Sequence, residues 1–443
     1  MSDTIVAVST PFGEGAIAVI RMSGPQAIAI AERAFRSRRR VSELPARMQQ
    51  LGRIVDAEGH VLDEVLLTVF RAPASYTGEE MVEIACHGGI LVTRRILGLL
   101  LDYGARAANG GEFTQRAFLN GKMDLTQAEA VMDLIQAQTD LALRAATEQL
   151  EGRLGNKVRE IQDGLLNVLA HVEAYIDFPE EDIDPETGET LRGRIRTLQE
   201  QVAALLRTAD QGRVLREGVR TVIYGEPNVG KSSLLNLLLG YERAIVSDTP
   251  GTTRDTIEET INLHGIPLRL IDTAGVRDSA DAIEQAGIAR TLQHLERADL
   301  VLHVVDASQL RNGLFTDDPK RIVVLNKIDL GRHPSWNGVE GVELSCRTGA
   351  GMEALGEAVF QRVIGCGATG SDFTVAINAR HQDCLKKADR YLAAALSALD
   401  GGLSAEFIAI ELRSALDAVG DIVGRLDTED LLGKIFSTFC LGK

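Results

Sequence analysis

The stretch TVIYGEPNVGKSSLLNLLLG, residues 221–240, decides the fold of the region around it. TVIY predicts a short buried strand, and SSLLNLLLG predicts a helix. The intervening GEPNVGKS has the spacing G-x-x-x-x-G-K-S, which is typical of a loop whose backbone N–H groups wrap phosphates at the start of a helix. Lys231 is therefore expected to reach the β- and γ-phosphates of a nucleotide, and Ser232 to ligate Mg²⁺.

A base-reading motif lies further along the same alternation of strands and helices. After the runs PLRLIDTAG and DLVLHVVDAS, the run RIVVLNKID ends in NKID, residues 326–329. The Asp329 carboxylate can accept hydrogen bonds from both N1–H and the exocyclic amine of guanine, which adenine does not offer together. SCRTG, starting at Ser345, is expected to contact the base through backbone N–H groups. The order and spacing of these motifs predict a GTPase domain built on a doubly wound, mostly parallel sheet.

The segments expected to sense the γ-phosphate differ from those of Ras-type switch GTPases. SDTPGTTRD begins at Ser247 and supplies Thr253 as a second Mg²⁺ contact, with Thr252 beside it. DTAGVRD, residues 272–278, places Val276 where Ras-type GTPases have the glutamine that orients the attacking water. The GTP-contacting residues expected from all these motifs are Asn228, Val229, Gly230, Lys231, Ser232, Ser233, Ser247, Asp248, Thr249, Pro250, Gly251, Thr252, Thr253, Asp272, Thr273, Ala274, Gly275, Asn326, Lys327, Asp329, Ser345, Cys346 and Arg347.

Two side chains can replace the missing glutamine, and each has an ordinary structural alternative. Asn228 offers an amide oxygen to a monovalent cation such as K⁺, but asparagine is also common as a turn residue. Glu284 can swing in and position water, but an acidic residue is also favoured in the first turn of a helix. Arg254 and Arg277 are further candidates for stabilising the developing charge. The residues alone do not choose among these.

The flanking sequence predicts two other kinds of domain. Residues 1–118 mix short β-like runs at Ile5–Val8, Ile17–Ile20 and Val65–Phe70 with two helical stretches, and predict an α+β domain. Residues 119–214 and 371–443 are helical on both sides of the GTPase block at 215–370, so the block is expected to be inserted into a helical domain. Thr126 and Glu129 are expected to form a capping box at the start of the first long helix. The fold class expected is a multidomain α/β and α protein with an inserted Ras-like P-loop GTPase domain.

The composition favours a cytoplasmic protein with no membrane segment. The 443 residues have a formal net charge of −16, which argues against a broad nucleic-acid-binding face. The five cysteines have no disulfide or zinc spacing, and no apolar run approaches the ~18 residues that span a bilayer. The basic run at Arg33–Arg40, RAFRSRRR, is interpreted as a solvated face.

The whole chain resembles one bacterial family. The resemblance is carried by TPFGEGAIAVIRMSG, YTGEEMVEIACHGG, GEFTQRAFLNGKMDLTQAEAV, AYIDFPEE, GTTRD and the C-terminal FCLGK. In these segments the chain is similar, end to end, to the tRNA-modification GTPases of the MnmE (TrmE) family. The resemblance implies a homodimer formed through a tetrahydrofolate-binding-like N-terminal domain. It also implies G domains that dimerise across the nucleotide in a K⁺-dependent way, so that hydrolysis needs no separate activating protein.

The same resemblance implies a partner and a reaction. With the FAD-dependent protein MnmG (GidA), in a heterotetramer, family members add an aminomethyl or carboxymethylaminomethyl group to C5 of the wobble uridine in certain tRNAs. A 5-formyl- or methylene-tetrahydrofolate supplies the one-carbon unit, and much of the tRNA affinity is expected to come from the partner. The implied K⁺ ligands are Asn228 and backbone oxygens of Ser247, Thr249 and Thr252, and Glu284 is implied to position water through a bridge.

The resemblance further implies a folate site at Arg21, Glu83 and Lys122, with Lys443 reaching over from the C-terminal tail. Without it, Arg21 and Glu83 would be interpreted as an ion pair at a strand edge. Cys440 near that tail is implied to act as a nucleophile toward uridine C6 or the one-carbon unit, or to be a merely packed thiol.

One alternative function remains open at this point, a GTPase switch for ribosome assembly. Such proteins usually carry an RNA-binding module beside the G domain. The flanks here are helical and folate-domain-like instead, which favours tRNA modification.

Overall fold

The computed structural model describes residues 3–177, 188–241, 259–271, 295–311, 318–365, 376–424, 435–436, 439 and 442. By its internal contacts the chain divides into two compact units. The first comprises Met1–Met132 with Val423–Lys443, and the second comprises Asp133–Ile422. The second unit contains the six-stranded sheet and, among the described residues, most of the helices.

The first unit is built on a seven-stranded sheet in the order β3-β4-β5-β6-β2-β1-β7. Neighbouring strands are antiparallel except for β1 and β7, which are parallel. The three predicted runs are confirmed as β1 and parts of β2 and β5, whereas β4, β6 and the two-residue strands β3 and β7 were not predicted. The strands are β1 (Ile5–Val8), β2 (Gly15–Ser23), β3 (Phe35–Arg36), β4 (Gln49–Val55), β5 (Val61–Phe70), β6 (Met81–Gly88) and β7 (Arg106–Ala107).

Helices pack on both faces of this sheet. α1 (Ala27–Ala34) and α2 (Ile90–Asp102) bury apolar side chains such as Ile30, Ile96 and Leu100 in the main core of the unit, together with alternate residues of the strands. A third helix, α3 (Glu112–Leu119), buries Phe113 in a smaller cluster. The sequence analysis expected only two helical stretches here. Phe113 packs with Ile5 and Ala7, which face away from the main core, so α3 lies on the opposite face of the sheet. Arg21 and Glu83 alternate onto this second face.

The next helix, α4 (Leu125–Gln136), begins with a different cap from the one predicted. Asp124 Oδ1 accepts from the backbone N–H of Gln127 at 3.0 Å, and Gln127 Oε1 accepts from the N–H of Asp124 at 3.0 Å. This reciprocal pair is a capping box, so the predicted box at Thr126 and Glu129 is wrong. Both residues are buried within α4 instead, Thr126 in its first turn and Glu129 in its second.

The helical region that follows consists of shorter helices than its sequence pattern predicted. The break after α4 is set by Thr139, whose hydroxyl accepts from the N–H of Ala142 at 3.2 Å and so starts a new helix. The remaining helices are α5 (Asp140–Leu150), α6 (Arg153–Asp177), α7 (Gly188–Arg207), α8 (Ala209–Glu217), α9 (Lys231–Tyr241), α10 (Met352–Ile364), α11 (Ala379–Asp400) and α12 (Ala405–Val423).

Helices from both ends of the second unit pack against each other. The α7 side chain Arg192 pairs with Asp400 of α11 at 2.6 Å, and Gln199 Nε2 of α7 donates to Asp389 Oδ1 at 3.1 Å. Segments nearly two hundred residues apart therefore form one helical layer, as expected for an insertion. The exact bounds at residues 118, 214 and 370 stay predictions.

The inserted sheet has six strands in the order β13-β12-β11-β8-β10-β9. All neighbouring pairs are parallel except β9 with β10, which confirms the predicted mostly parallel arrangement. The chain runs outward from β8 in both directions, so a topological switch point lies between β8 and β11. The strands are β8 (Val219–Tyr224), β9 (Glu259–Leu263), β10 (Ile266–Leu270), β11 (Leu300–Asp306), β12 (Arg321–Asn326) and β13 (Val342–Glu343). The two sheets and the helices confirm the predicted multidomain class.

The described residues also bear on the predictions about cysteines and membrane segments. Cys86, Cys346 and Cys384 are free thiols, and Cys366 and Cys440 lie outside the described residues. Burial, as the main cause, raises the pKa of the Cys86 and Cys346 thiols to about 11. In the part of the chain that the structure describes, no helix is long and apolar enough to cross a membrane.

Candidate functional site

The phosphate loop connects the carboxyl end of β8 to the first residue of α9, at the switch point of the sheet. Gly230 has φ +102°, and a Cβ at this position would lie 2.2 Å from Nδ2 of Asn326. Only glycine fits here, since any side chain would be strained by its backbone and would collide with the neighbouring strand end. The loop is therefore a close-fitting cradle of backbone at a helix N-terminus, which suits a phosphate group.

Lys231 lies over this cradle. Its Nζ donates to the backbone oxygens of Gly225 at 3.0 Å and Glu226 at 2.8 Å, so the side chain folds back across the loop. Burial lowers the pKa of the lysine, because the charged form is partly desolvated. A phosphate oxygen is the group that would offset this desolvation, and the third N–H of the ammonium is suited to it.

Asn326, at the end of β12, joins the phosphate loop to the base-reading loop. It is 2% exposed, its Nδ2 donates to the backbone oxygen of Val229 at 2.8 Å, and its Oδ1 accepts from the N–H of Cys346 at 3.1 Å. One buried amide thus fixes two loops against each other. The N–H of Cys346, expected to face the base, is bonded to Asn326 instead.

Lys327 extends the connection between the loops to Asp306, a residue that the sequence motifs did not predict. Its Nζ donates to the backbone oxygen of Asn228 at 2.9 Å and to Asp306 Oδ2 at 2.7 Å. Burial alone would raise the pKa of Asp306, but hydrogen bonds from Lys327 and Ser308 outweigh it and hold the pKa below its usual value. The signal that would have found Asp306 is its place at the end of β11, directly beside NKID in the sheet.

Asp329 lies in the short 3₁₀ turn that follows β12. The Ser345 hydroxyl donates to its Oδ1 at 2.7 Å, which orients the carboxylate. Its Oδ2 pairs with Arg347 at 3.2 Å, but the Arg347 side chain is 77% exposed. Because an exposed ion pair contributes little, the N–H groups of guanine can replace that arginine on the carboxylate. The structure thus brings the predicted base-reading residues together beside the phosphate loop.

Of the residues proposed to bind cations, the structure describes Ser232 and Asn228. Ser232 occupies the first turn of α9 beside Lys231, a position that suits a Mg²⁺ ligand. Asn228 is exposed and has φ +65°, a left-handed conformation that asparagine tolerates well. The backbone of Asn228 therefore has a turn conformation, and its exposed side-chain amide offers an oxygen to a cation.

Several residues predicted for the two sites lie outside the described residues. These are Ser247, Asp248, Thr249, Pro250, Gly251, Thr252, Thr253 and Arg254 of the first switch, Asp272, Thr273, Ala274, Gly275, Val276, Arg277 and Glu284 of the second, and Cys440 and Lys443 of the tail. Their roles stay predictions.

The first unit contains the second candidate site. Arg21 on β2 lies directly opposite Glu83 on β6, with Nη2 2.8 Å and Nε 2.9 Å from Oε1 of the glutamate. The ion-pair interpretation is thus correct, but its placement at a strand edge was wrong. β2 lies between β6 and β1, because the register places Ala7 of β1 on the other side of Arg21.

Two aromatic rings border this ion pair and were missed by the sequence analysis. The Arg21 guanidinium lies 5.3 Å from the ring centroid of Tyr76 and 5.8 Å from that of Phe113. Burial raises the pKa of the Tyr76 phenol, whose oxygen shares a 2.8 Å hydrogen bond with Thr114. Charge and flat apolar surface therefore occur together, a combination that suits a planar polar heterocycle.

Lys122 and the chain end border the same unit. Lys122 Nζ donates to the backbone oxygen of Pro73 at 3.1 Å, in the loop that also carries Tyr76. The Ser9 hydroxyl, just beyond β1, donates to the backbone oxygen of Gly442 at 3.0 Å. Gly442 has φ +89°, and a Cβ there would lie 2.4 Å from the backbone oxygen of Val8, so the tail approaches the strand closely.

Comparison with protein families gives two matches along the chain. The family model described as "GTP-binding protein TrmE N-terminus" matches residues 4–122, and the model described as "MnmE helical domain" matches residues 125–440. Together they cover both units. The boundary between the two models falls at the turn where Asp124 caps α4.

Curated relatives match over nearly the whole length. A protein of Akkermansia muciniphila named "tRNA modification GTPase MnmE" is 56% identical over 449 residues, which cover 99% of each chain. A protein of Geobacillus kaustophilus with the same name is 45% identical, with 100% of this chain and 99% of the other covered. Among solved structures, the G domain of the T. maritima FeoB iron transporter matches 32% of this chain and 98% of its own, at 29% identity. Its TM-score of 0.25 is too low for any inference.

Proposed function

The chain belongs to the family of tRNA modification GTPases named MnmE and is a GTP hydrolase acting in tRNA modification, and from this premise we propose how it acts. GTP hydrolysis drives closing and opening of a complex that modifies C5 of the wobble uridine in certain tRNAs. The group added is aminomethyl or carboxymethylaminomethyl, and its one-carbon unit comes from a tetrahydrofolate. The family match favours this function over a switch for ribosome assembly.

The observation that carries the proposal is the joining of phosphate and base recognition by one buried side chain. Asn326 holds the loop that carries Lys231 against the loop that follows Asp329. A nucleotide bound at the cradle would therefore meet the guanine-reading carboxylate in a fixed relation to its phosphates. ATP lacks the paired donors that this carboxylate requires, so we expect GTP to be strongly preferred.

Hydrolysis without a glutamine at Val276 needs another source of transition-state stabilisation. We propose K⁺ at the exposed Asn228 amide, together with backbone oxygens of Ser247, Thr249 and Thr252, and a water positioned by Glu284. An arginine finger in a comparable place raises the rate by about 10³–10⁵, which sets the scale for the cation. Dimerisation of G domains across the nucleotide would exclude bulk solvent other than the attacking water and complete the cation cage.

The folate is proposed to bind beside Arg21 in the first unit. Glu83 would accept from the donors of the pterin, while Tyr76 and Phe113 supply flat apolar surface. Lys122 and Lys443 would hold the anionic glutamate tail of the folate. The contact between Ser9 and Gly442 supports a role for the tail, because Ser9 follows the strand that pairs with Arg21. When bound, the folate supplies the one-carbon unit for the modification.

The remaining parts of the proposal concern assembly and location. We propose a homodimer, formed through the first unit, that joins the FAD-dependent protein MnmG in a heterotetramer on the tRNA. Cys440 is proposed as a nucleophile near the folate, with a packed thiol as the alternative. A cytoplasmic location is proposed from the tRNA substrate and from the scattered spacing of the five cysteines in the sequence.

Nucleoside mass spectrometry of total tRNA tests the modification directly. Cells that lack this chain should lose C5-aminomethyl-type wobble uridines, and the wild-type chain should restore them. Glu284→Ala should fail to restore them while the protein accumulates normally. An unchanged nucleoside profile in deletion cells that contain the partner would overturn the proposed reaction and leave a GTPase of unknown output.

The cation is tested separately by GTP hydrolysis in KCl and in NaCl at equal ionic strength. The purified full-length chain should turn over much faster in KCl, and Asn228→Ala should remove that difference. Equal rates in the two salts would eliminate the cation role without touching the folate or tRNA assignments.

A further inference from the structure

Five arginines lie in and around β3, the edge strand of the seven-stranded sheet, and are called here the arginine cluster: Arg33 at the end of α1, Arg36 in β3, and Arg38, Arg39 and Arg40 in the loop that follows. All five side chains are exposed. Among the residues that the structure describes, none of the five forms an ion pair with an acidic side chain. The cluster is therefore a local concentration of positive charge in a chain whose net charge is −16.

The loop that carries the cluster is anchored at both ends. Phe35 before it is 4% exposed, and Val41 and Leu44 after it are 1% and 2% exposed in the main core of the unit. Within the loop, the Ser37 hydroxyl donates to the backbone oxygen of Arg39 at 2.7 Å. The backbone is therefore fixed, and little ordering of the main chain would be needed when a partner binds.

Two members of the cluster are also held through their side chains. Arg36 Nη1 donates to the backbone oxygens of Glu32, Arg33 and Phe35 at 3.2, 3.0 and 3.1 Å, and so caps the end of α1. Arg33 lies 4.2 Å from the ring centroid of Tyr103 and donates to that residue's backbone oxygen at 3.0 Å. Both guanidinium groups are positioned, with further N–H groups not used in these bonds.

We propose that the arginine cluster is a docking surface for the phosphate backbone of RNA, and specifically for the tRNA substrate. Neighbouring cations without acidic partners repel one another, and phosphates remove this repulsion. Arginine binds phosphate with two parallel hydrogen bonds, which makes it better suited than lysine to fixing a backbone in register. The inference rests on the proposed tRNA function and assigns part of the tRNA affinity to this chain rather than to its partner.

The surroundings favour RNA phosphates over a lipid surface or over base recognition. The apolar residues that flank the arginines in the chain, Phe35, Val41 and Leu44, are buried, so the loop itself offers no apolar side chain to a bilayer. The run from Arg36 to Arg40 contains no aromatic residue on which a base could stack. Contacts made only with phosphates position the RNA without reading its sequence.

The test measures binding of the full-length chain to a fluorescent tRNA that carries an unmodified wobble uridine, by anisotropy over a range of salt concentrations. The variant is Arg38→Glu with Arg39→Glu. The matched control is Arg94→Glu with Arg95→Glu, which changes the net charge equally on exposed residues of α2 in the same unit. GTP hydrolysis and the thermal midpoint are measured for both, to establish that each variant is folded.

The cluster variant should bind tRNA at least tenfold more weakly than wild type. Its slope of log affinity against log salt should fall by about one to two, since each lost phosphate contact contributes about 0.7–0.9. The control should lose less than threefold. Equal losses in both variants would mean that only net charge matters and would overturn the assignment, as would wild-type affinity in the cluster variant.

Two further measurements distinguish RNA binding by the cluster from lipid binding and from binding that needs the partner. Vesicles of phosphatidylcholine with about a third phosphatidylserine should not bind the wild-type chain, and binding lost with the cluster would assign it to lipid instead. If wild type does not bind tRNA in the absence of its partner, the inference fails. The proposed function is judged independently by the nucleoside profile of deletion cells, so the two failures can be told apart.

Discussion

The nucleotide site and the Arg21 site are built from different parts of the polypeptide. At the nucleotide site, Lys231 and Asn326 are held mainly by backbone groups of loops that follow parallel strands. At the Arg21 site, side chains of antiparallel strands hold one another across a sheet face. The nucleotide site is fixed by the order of the strands, whereas the Arg21 site depends on which side chains the strand register places opposite each other. Substitutions should therefore damage the first far more than the second.

The largest effect is expected from Asp329→Asn. An amide can donate to the 2-oxygen of xanthine where the carboxylate accepted from the 2-amine of guanine, so the preference should move from GTP to XTP. The combined change in selectivity should be on the order of 10⁴, because mismatched buried polar groups reject a base strongly. Competition binding of GDP and XDP measures it, with Arg347→Ala as the control that removes only the exposed partner. Retained guanine selectivity in Asp329→Asn would refute the role of this carboxylate.

Lys231→Ala should come next. Removing a preorganised donor to the transferring phosphate should lower kcat for GTP by about 10²–10³, while folding is preserved. Phosphate release under saturating GTP measures the rate, and Lys157→Ala on the exposed face of α6 is the matched control. A loss of less than about threefold would show that Lys231 does not contact the reacting phosphate.

Gly230→Ala tests the closeness of the cradle. The added Cβ would meet Asn326 at 2.2 Å, and its backbone has φ +102°, so we expect a stability loss of about 1–3 kcal/mol together with weaker nucleotide binding. Thermal and urea unfolding measure the first and GDP titration the second. Gly240→Ala in α9, where nothing lies within 4 Å, should leave both unchanged or slightly raise stability. Similar behaviour of the two variants would contradict close packing at Gly230.

Arg21→Ala should have the smallest effect on the fold. The ion pair with Glu83 is largely but not fully buried, with side chains 16% and 25% exposed, so its loss should cost about 1 kcal/mol and leave GTP hydrolysis unchanged. Titration with 5-formyltetrahydrofolate should nevertheless detect weaker binding by tenfold or more. Arg53→Ala, which removes the exposed pair with Glu64 on the same sheet, is the control. Unchanged folate binding in Arg21→Ala would move the proposed site elsewhere.

This difference in construction also explains what the sequence could predict. Glycine and lysine at fixed spacing, followed by NKID, imply a parallel sheet and a nucleotide at its switch point, and the strand order confirms this arrangement. Asp306 was missed because a single aspartate at a strand end has no motif of its own. The strands β4 and β6 were missed because their pairing depends on distant residues rather than on local periodicity. The capping box at α4 was misplaced by two residues, since Asp124 with Gln127 fits the same pattern as Thr126 with Glu129.

The Arg21 site could not be predicted from the residues alone, for a physical reason. An arginine and a glutamate on separate strands carry no sign of facing each other, and the register that joins them is set by the whole sheet. Tyr76 and Phe113, which complete the surroundings, come from a loop and a helix with no shared spacing. Only the resemblance to a family identified Arg21 and Glu83 in advance.

The two hydrogen bonds of the Asn326 side chain, one to each loop, also limit how this domain can be re-engineered. A grafted phosphate loop would arrive without the carbonyl of Val229 in its present place, and the amide of Asn326 would lose a buried acceptor. A grafted base-reading loop would remove the N–H of Cys346 and leave the other end of the same amide unsatisfied. Each loss costs about 1–3 kcal/mol for a buried polar group. A functional chimera should therefore exchange both loops and the end of β12 as a single cassette.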